Sequence, residues 1–139
     1  NGLGLHTLYS VSRFFGKEFK NFVFVQIGVI DAGNFKGAAE VIHLDAQIKK
    51  DLARYVDLMQ RYGSYAEGLA YMGVDVLEEA DKVVAAVAQR FPHAVVFGGQ
   101  LVFPRESLWT RWLHNGTVFS IQRKFYQGGI PFVVLPIRV

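Results

Sequence analysis

Not one cysteine occurs among the 139 residues, which excludes disulfides, thiolate zinc sites and cysteine nucleophiles. Prolines number four, so there is no Pro-rich linker, and charged residues make up only 19% against 51% hydrophobic, which excludes a disordered tail. The longest apolar run, Phe22 to Ile30, is interrupted by Gln26 and falls far short of the ~20 residues that span a bilayer. No signal-peptide pattern occurs in the sequence. There is also no Gly-x-Ser-x-Gly elbow, no His-Glu-x-x-His and no P-loop, so hydrolase and kinase-like readings lack a nucleophile or a phosphate loop. Neither a catalytic set nor a metal-ligand set can be assembled from the residues.

The net charge is +3, unevenly distributed. Asp31 to Lys82 holds ten acidic and six basic side chains, whereas Leu101 to Val139 holds Arg105, Arg111, Arg123, Lys124 and Arg138 against Glu106 alone. That excess is too small and too scattered for a nucleic-acid binder. It reads as solvated surface, or as a basic face toward phosphates or anionic headgroups. Phe103, Trp109 and Trp112 stand among Arg105 and Arg111, either as packing for the last helix or as a docking surface.

What is there alternates. Leu5, Leu8, Val11, Phe14 and Phe15 repeat at helical spacing up to Gly16, and Phe22–Ile30 follows as a strand apolar enough to be covered on both faces. A helix is expected from about Ala46 to Tyr62, striped by Ile48, Leu52, Tyr55, Val56, Met59 and Tyr62. Ala66–Met72 reads as an edge or near-edge strand. Asp75 then caps a helix with Val76, Leu77, Ala80, Val83, Val84, Val87 and Phe91 on one side, closed by Pro92. Ala94–Phe97 is a short strand ending in Gly98-Gly99, a long helical region runs to Gly128-Gly129, and Phe132–Leu135 is the last strand. Helices and strands in strict alternation imply a single α/β domain over residues 1–139, with helices on both faces of a three-layer parallel sheet of four to five strands. The plan is flavodoxin-like or universal-stress-protein-like.

The chain opens on Gly2-Leu3-Gly4, a glycine turn running into a helix, which in such folds follows a central first strand. The domain therefore reads as a fragment lacking that strand. A turn of this kind can place backbone N–H groups and a positive helix end around an anion. Gly2-x-Gly4-x-x-Thr7 departs from the dinucleotide fingerprint, with Thr7 at the third glycine, while Asp31 ends the next strand where an acidic residue would bind a ribose. Gly98-Gly99-Gln100 and Leu113-His114-Asn115-Gly116-Thr117 form a second constellation. Its Gly116-Thr117 resembles the Gly-Ser of ATP-binding universal stress proteins, but Leu101 and Val102 fall where their second loop glycine is needed. The candidate ligand-binding set at this end of the sheet is Gly2, Gly4, His6, Thr7, Asp31, Gly98, Gly99, His114, Asn115 and Thr117. His6 and His114 are expected in loops at the same end, engaged in backbone hydrogen bonds or partly solvated.

Taken from end to end, the chain resembles the cytoplasmic C-terminal domain of bacterial amino-acid-permease-like transporters of the APC superfamily. The residues that carry the resemblance are Gly2-Leu3-Gly4-Leu5-His6-Thr7-Leu8, Phe19-Lys20-Asn21-Phe22-Val23-Phe24-Val25, Val29-Ile30-Asp31-Ala32-Gly33-Asn34-Phe35-Lys36-Gly37, Leu113-His114-Asn115-Gly116-Thr117 and Val134-Leu135-Pro136-Ile137. The resemblance implies a universal-stress-protein-like domain behind a multi-helix membrane transporter, with no activity of its own. Its partner would be the transmembrane part of the parent, as a monomer or a homodimer, and its first strand would belong to the stretch just upstream. The glycine-rich end would then sense a nucleotide such as ATP, or another anion. The alternative is a stand-alone nucleotide-binding module.

Overall fold

A computed structural model of the chain describes residues 2–102 and 108–138, with side chains described outside 101–115. Eight elements alternate: α1 (Gly2–Phe15), β1 (Asn21–Val29), α2 (Ala38–Arg61), β2 (Tyr65–Gly73), α3 (Val76–Arg90), β3 (Val96–Val102), α4 (Leu108–Gln127) and β4 (Phe132–Arg138). The order matches the alternation in the sequence. The strands form two parallel two-stranded sheets, β1 with β2 and β3 with β4, in place of the single sheet expected. The chain divides into two compact units, residues 17–83 and residues 2–16 with 84–139.

In the unit of residues 17–83, β1 and β2 pair in parallel from Asn21↔Tyr65 to Val29↔Gly73, and α2 is the crossover that parallel strands require. Two glycines let α2 lie close on this sheet. A Cβ on Gly28 would sit 2.5 Å from Ile48 Cδ1 and 3.2 Å from Leu44 Cδ2, and one on Gly68 would sit 3.1 Å from Leu52 Cβ. Ile48 is 1% exposed as a result, and Leu52 and Met59 are buried with it, each worth roughly 1.5–3 kcal/mol of transfer free energy. Phe24 stacks on Tyr55 with centroids 5.2 Å apart. Tyr62, expected on the same stripe, is exposed because the helix has already ended. Gly63, at φ 80°, closes it: the Gly63 and Ser64 N–H groups donate back to the Gln60 and Met59 carbonyls at 2.9 and 3.1 Å.

α2 begins at Ala38, earlier than the apolar stripe alone indicates. Glu40 explains the extension: its carboxylate accepts the Lys36 N–H at 2.9 Å and tethers the first turn. At α3 the expected cap is present, with Asp75 Oδ1 accepting the Leu77 N–H at 2.8 Å. Ala80 and Val83 are buried on the striped side of that helix.

In the other unit, β3 and β4 pair in parallel from Val96↔Phe132 to Val102↔Arg138, with α4 as crossover. β3 runs through Gly98-Gly99, where the glycines were expected to end it. Glycine inside a strand marks close approach of other groups, and here the groups are identifiable. A Cβ on Gly98 would lie 2.8 Å from the Phe132 ring and 3.3 Å from Val118 of α4; one on Gly99 would overlap Thr7 Oγ1 and sit 3.0 Å from Leu3 Cδ1 of α1. Adjacent strand residues point to opposite faces, so α1 and α4 lie on opposite faces of β3. Phe15 of α1 packs on Phe97, and Phe125 of α4 on Phe132, at 5.2 and 5.3 Å between centroids. Leu8, Val11, Phe125, Phe132, Leu135 and Ile137 form the buried core.

Candidate functional site

The glycine end of the sheet is built from helix and strand interiors. Gly2 and Gly4 lie in the first turn of α1, and neither takes a positive φ, so the expected turn is helical. His6 is an exposed residue of the same helix. Thr7 is buried, and its hydroxyl donates to the Leu3 carbonyl at 2.8 Å, an intrahelical bond back by one turn. The structure thus brings Thr7 and Gly99 together, two residues singled out in the sequence, and what joins them is packing. Gly98 is filled in the same way by Phe132 and Val118. A phosphate cradle needs glycines so that backbone N–H groups can approach the anion; at both positions the space already holds side chains.

His114, Asn115, Gly116 and Thr117 lie inside α4, not in a loop or at a helix start. Thr117 is exposed and the Gly116 carbonyl accepts the Ser120 hydroxyl at 2.9 Å. The side chains of His114 and Asn115 lie outside the described ones, as do those of Trp109, Arg111 and Trp112, and Phe103 and Arg105 lie outside the described residues altogether.

Asp31 belongs to the other unit. Its carboxylate accepts the Gly33 N–H at 2.9 Å and the Asn34 side-chain amide at 2.8 Å, while the Asn34 N–H donates to its carbonyl at 3.2 Å. This is an Asx turn, and the carboxylate oxygens that would meet a ribose are already bonded to the loop they form. The Asn34 amide first, and the Gly33 N–H second, hold the Asp31 carboxyl below its ordinary range.

Glu79 is a residue the apolar pattern passes over, although it lies three residues after Val76 and four before Val83, on the buried stripe. Its side chain is 7% exposed and accepts the Lys82 ammonium at 2.6 Å. It lies against Gly73 at the carboxyl end of β2, where an added Cβ would come within 2.7 Å of its Cγ and Cδ. The hydrogen bond to Glu79 raises the pKa of Lys82, with desolvation acting in the opposite direction. The pair lies on α3 beside the carboxyl end of β2, and no further titratable group joins it into a metal-binding cluster among the described residues.

Apolar surface is also present in the unit of residues 17–83. A groove of about 560 Å³ runs between α2 and β2, lined by Leu52, Ala53, Val56, Gly68 and Leu69, with Lys49 as its charged member. Lys49 is held by Asp45 at 2.6 Å. The face of β1 opposite α2 carries Val23, Val25, Ile27 and Val29, with Val25 and Val29 39% and 51% exposed. β1 was expected to be covered on both faces; the second is covered only in part. No helix among the described residues is long and apolar enough to cross a membrane. Comparison with known protein families, curated proteins and solved structures finds no match to this chain.

Proposed function

We propose that the chain is a regulatory or docking domain of an amino-acid-permease-like membrane transporter, held at the cytoplasmic face of the membrane and carrying out no reaction. The observation that carries the docking reading is the filling of Gly98 and Gly99 by Phe132, Val118, Thr7 and Leu3. A domain whose phosphate-cradling glycines are spent on packing acts through its surface. Partly exposed Val25 and Val29 supply apolar surface of the kind such a contact uses. The same filling argues against the stand-alone nucleotide-binding module.

The strand pairs support a universal-stress-protein-like plan. A doubly wound sheet of order 3-2-1-4-5 contains, apart from the pairs its first strand makes, only the neighbours 3-2 and 4-5. Those are β1 with β2 and β3 with β4, when the four strands are taken as the second to fifth. The flavodoxin order 2-1-3-4-5 would put the first strand between β1 and β2, where a continuous ladder already stands.

The gene sequence upstream tests the reading. Ten or more apolar segments of ~20 residues ahead of this domain are expected; a free-standing short reading frame overturns it.

A further inference from the structure

We propose that the outer edge of β2 pairs antiparallel with the same edge of a second copy of this chain, joining two β1–β2 sheets into one. In the strand order proposed above β2 stands at the end of the sheet. Apart from that, the inference uses only the unit of residues 17–83.

The backbone of β2 leaves this edge open. The Ile30 N–H donates to the Gly73 carbonyl at 2.8 Å, so by alternation residues 65, 67, 69, 71 and 73 turn their backbone groups toward β1 and residues 66, 68, 70 and 72 turn theirs outward. Gly68 and Ala70, the middle of the outward set, are exposed, and among the described residues no strand or side chain caps the four. The usual guards are missing as well: β2 runs nine residues in an unbroken ladder without proline or lysine. The outer edge of β4 is the contrast. The Val96 N–H donates to the Pro131 carbonyl at 2.8 Å, so residues 132, 134 and 136 turn outward there. The Phe132 carbonyl accepts both Gln122 Nε2 and the Tyr126 hydroxyl at 2.9 Å, and Pro136 has no N–H to offer.

The edge of β2 is complementary to itself. One antiparallel register sets outward residues against outward residues over the whole strand, Tyr65 against Gly73 of the second copy, with the two-fold axis at Leu69. On the face away from α2, that register sets Leu69 against its counterpart and Glu67 against Tyr71 of the second copy, an acceptor against a hydroxyl, with no carboxylate facing a carboxylate. α2 carries a second stripe for the same junction. Ile42, Ala46, Lys49, Ala53 and Val56 recur at alternating intervals of four and three, off the sheet-facing side of Ile48 and Leu52. Ile42 is 69% exposed, and Lys49, Ala53 and Val56 line the groove beside Gly68 and Ala70. The two-fold axis sets this flank of α2 from both copies side by side over the joined strands, where Ala46 and Ala53 permit close helix packing.

The test follows the isolated chain from micromolar to millimolar concentration by sedimentation velocity and amide hydrogen exchange. A dimer should form, and exchange at Gly68 and Ala70 should slow roughly tenfold or more as it does. The Leu69 and Tyr71 amides face β1 and serve as controls protected at every concentration. Because the chain has no cysteine, Leu69→Cys reports on one position. Opposed residues of this kind lie about 4.5 Å apart between Cα atoms, within disulfide reach, so mild oxidation should link the copies. Tyr62→Cys, exposed but off the edge, should stay unlinked. Ala70→Pro removes an outward N–H and no bond to β1, and Leu69→Lys sets like charges at the two-fold axis; each should remain folded by circular dichroism and monomeric. A monomer at all concentrations overturns the proposal, as does a dimer with unchanged exchange at Gly68 and Ala70 or one that both variants leave intact. Edge protection that requires a different polypeptide also overturns it, since the occupant is then not a second copy. None of these outcomes touches the transporter reading, which the upstream gene sequence decides.

Discussion

The hydroxyl of Thr7 occupies the space that a Cβ on Gly99 would take. That single relationship turns two members of an expected anion site into one packing contact between α1 and β3. Thr7 cannot swing away freely, because its Oγ1 is held on the Leu3 carbonyl at 2.8 Å. Gly99→Ala should therefore destabilise the protein by about 1–3 kcal/mol, as overpacking of a close contact does. Thr7→Ala removes the obstructing oxygen, so the double variant should recover at least about 0.5 kcal/mol of the loss in a urea-denaturation cycle. Strict additivity would show that the two residues do not share this contact.

Ligand titration is the complementary test. A ligand present at 100 times its dissociation constant raises stability by about 2.7 kcal/mol. ATP, ADP and NAD at millimolar concentration should leave the Tm unchanged, because the approach to Gly98 and Gly99 is filled. A shift with any of them, lost in Gly99→Ala, would restore the glycine end as a binding site.

Periodicity made all eight elements and their order legible, since apolar stripes at helical spacing and β-branched runs survive in any context. Glycine misled. Gly98 and Gly99 read as a strand terminus because the residue type most often breaks structure, yet here the small side chain lets α1 and α4 approach β3 from both faces. Gly2 and Gly116 are helical residues with open space around them, a location no local rule reveals. Glu79 shows the reverse case: its charge hid a position that the spacing of Val76 and Val83 places inside the fold. The pairing of β1 with β2 and of β3 with β4 was not legible, because strand order is decided between segments and not within them.

Asp31 tests the turn at the end of β1. Its depressed pKa comes chiefly from the Asn34 side chain, so Asn34→Ala should move the carboxyl titration, followed by NMR, back toward 3.8. The sign of the linkage is that of a lowered carboxylate: the stabilisation is present above pH 3.8 and is lost as the pH falls through the lower folded-state value. An Asp31 titration unaffected by Asn34→Ala would remove the Asx turn as its cause.

The Lys82–Glu79 pair predicts a change at the other end of the pH scale. Lys82 titrates above 10.5 in the folded protein, so its contribution is complete below that pH and is lost as the pH rises through the folded-state value. Glu79→Gln should abolish this alkaline dependence and lower stability at neutral pH by roughly 1–3 kcal/mol, since a buried acceptor is exchanged for an amide without a matched partner. Chemical denaturation of both proteins at pH 7 and pH 11 measures the difference. An equal loss at the two pH values would indicate that Glu79 acts through shape and not through the ion pair.

The outer edge of β4 offers the most direct test of how this sheet is closed. Gln122 and Tyr126 both donate to the Phe132 carbonyl, and Gln122 Nε2 also lies 3.0 Å from the Tyr126 hydroxyl, so the two side chains form one cap. Removing one leaves the other in place, and Tyr126→Phe alone should cost about 0.5–1.5 kcal/mol. Removing both in Gln122→Ala/Tyr126→Phe exposes the carbonyl on a strand edge, and unpaired edges recruit other strands. The double variant should therefore associate beyond a dimer in sedimentation velocity, which neither single variant should do. Lys at position 134 tests the cause: residue 134 turns its backbone outward on the same edge, and a charge there discourages edge-to-edge pairing. Val134→Lys added to the double variant should restore the behaviour of the single variants. Association that persists with the lysine would trace to exposed apolar surface elsewhere, and the cap on Phe132 would then be a local stabilising contact without a role in guarding the edge.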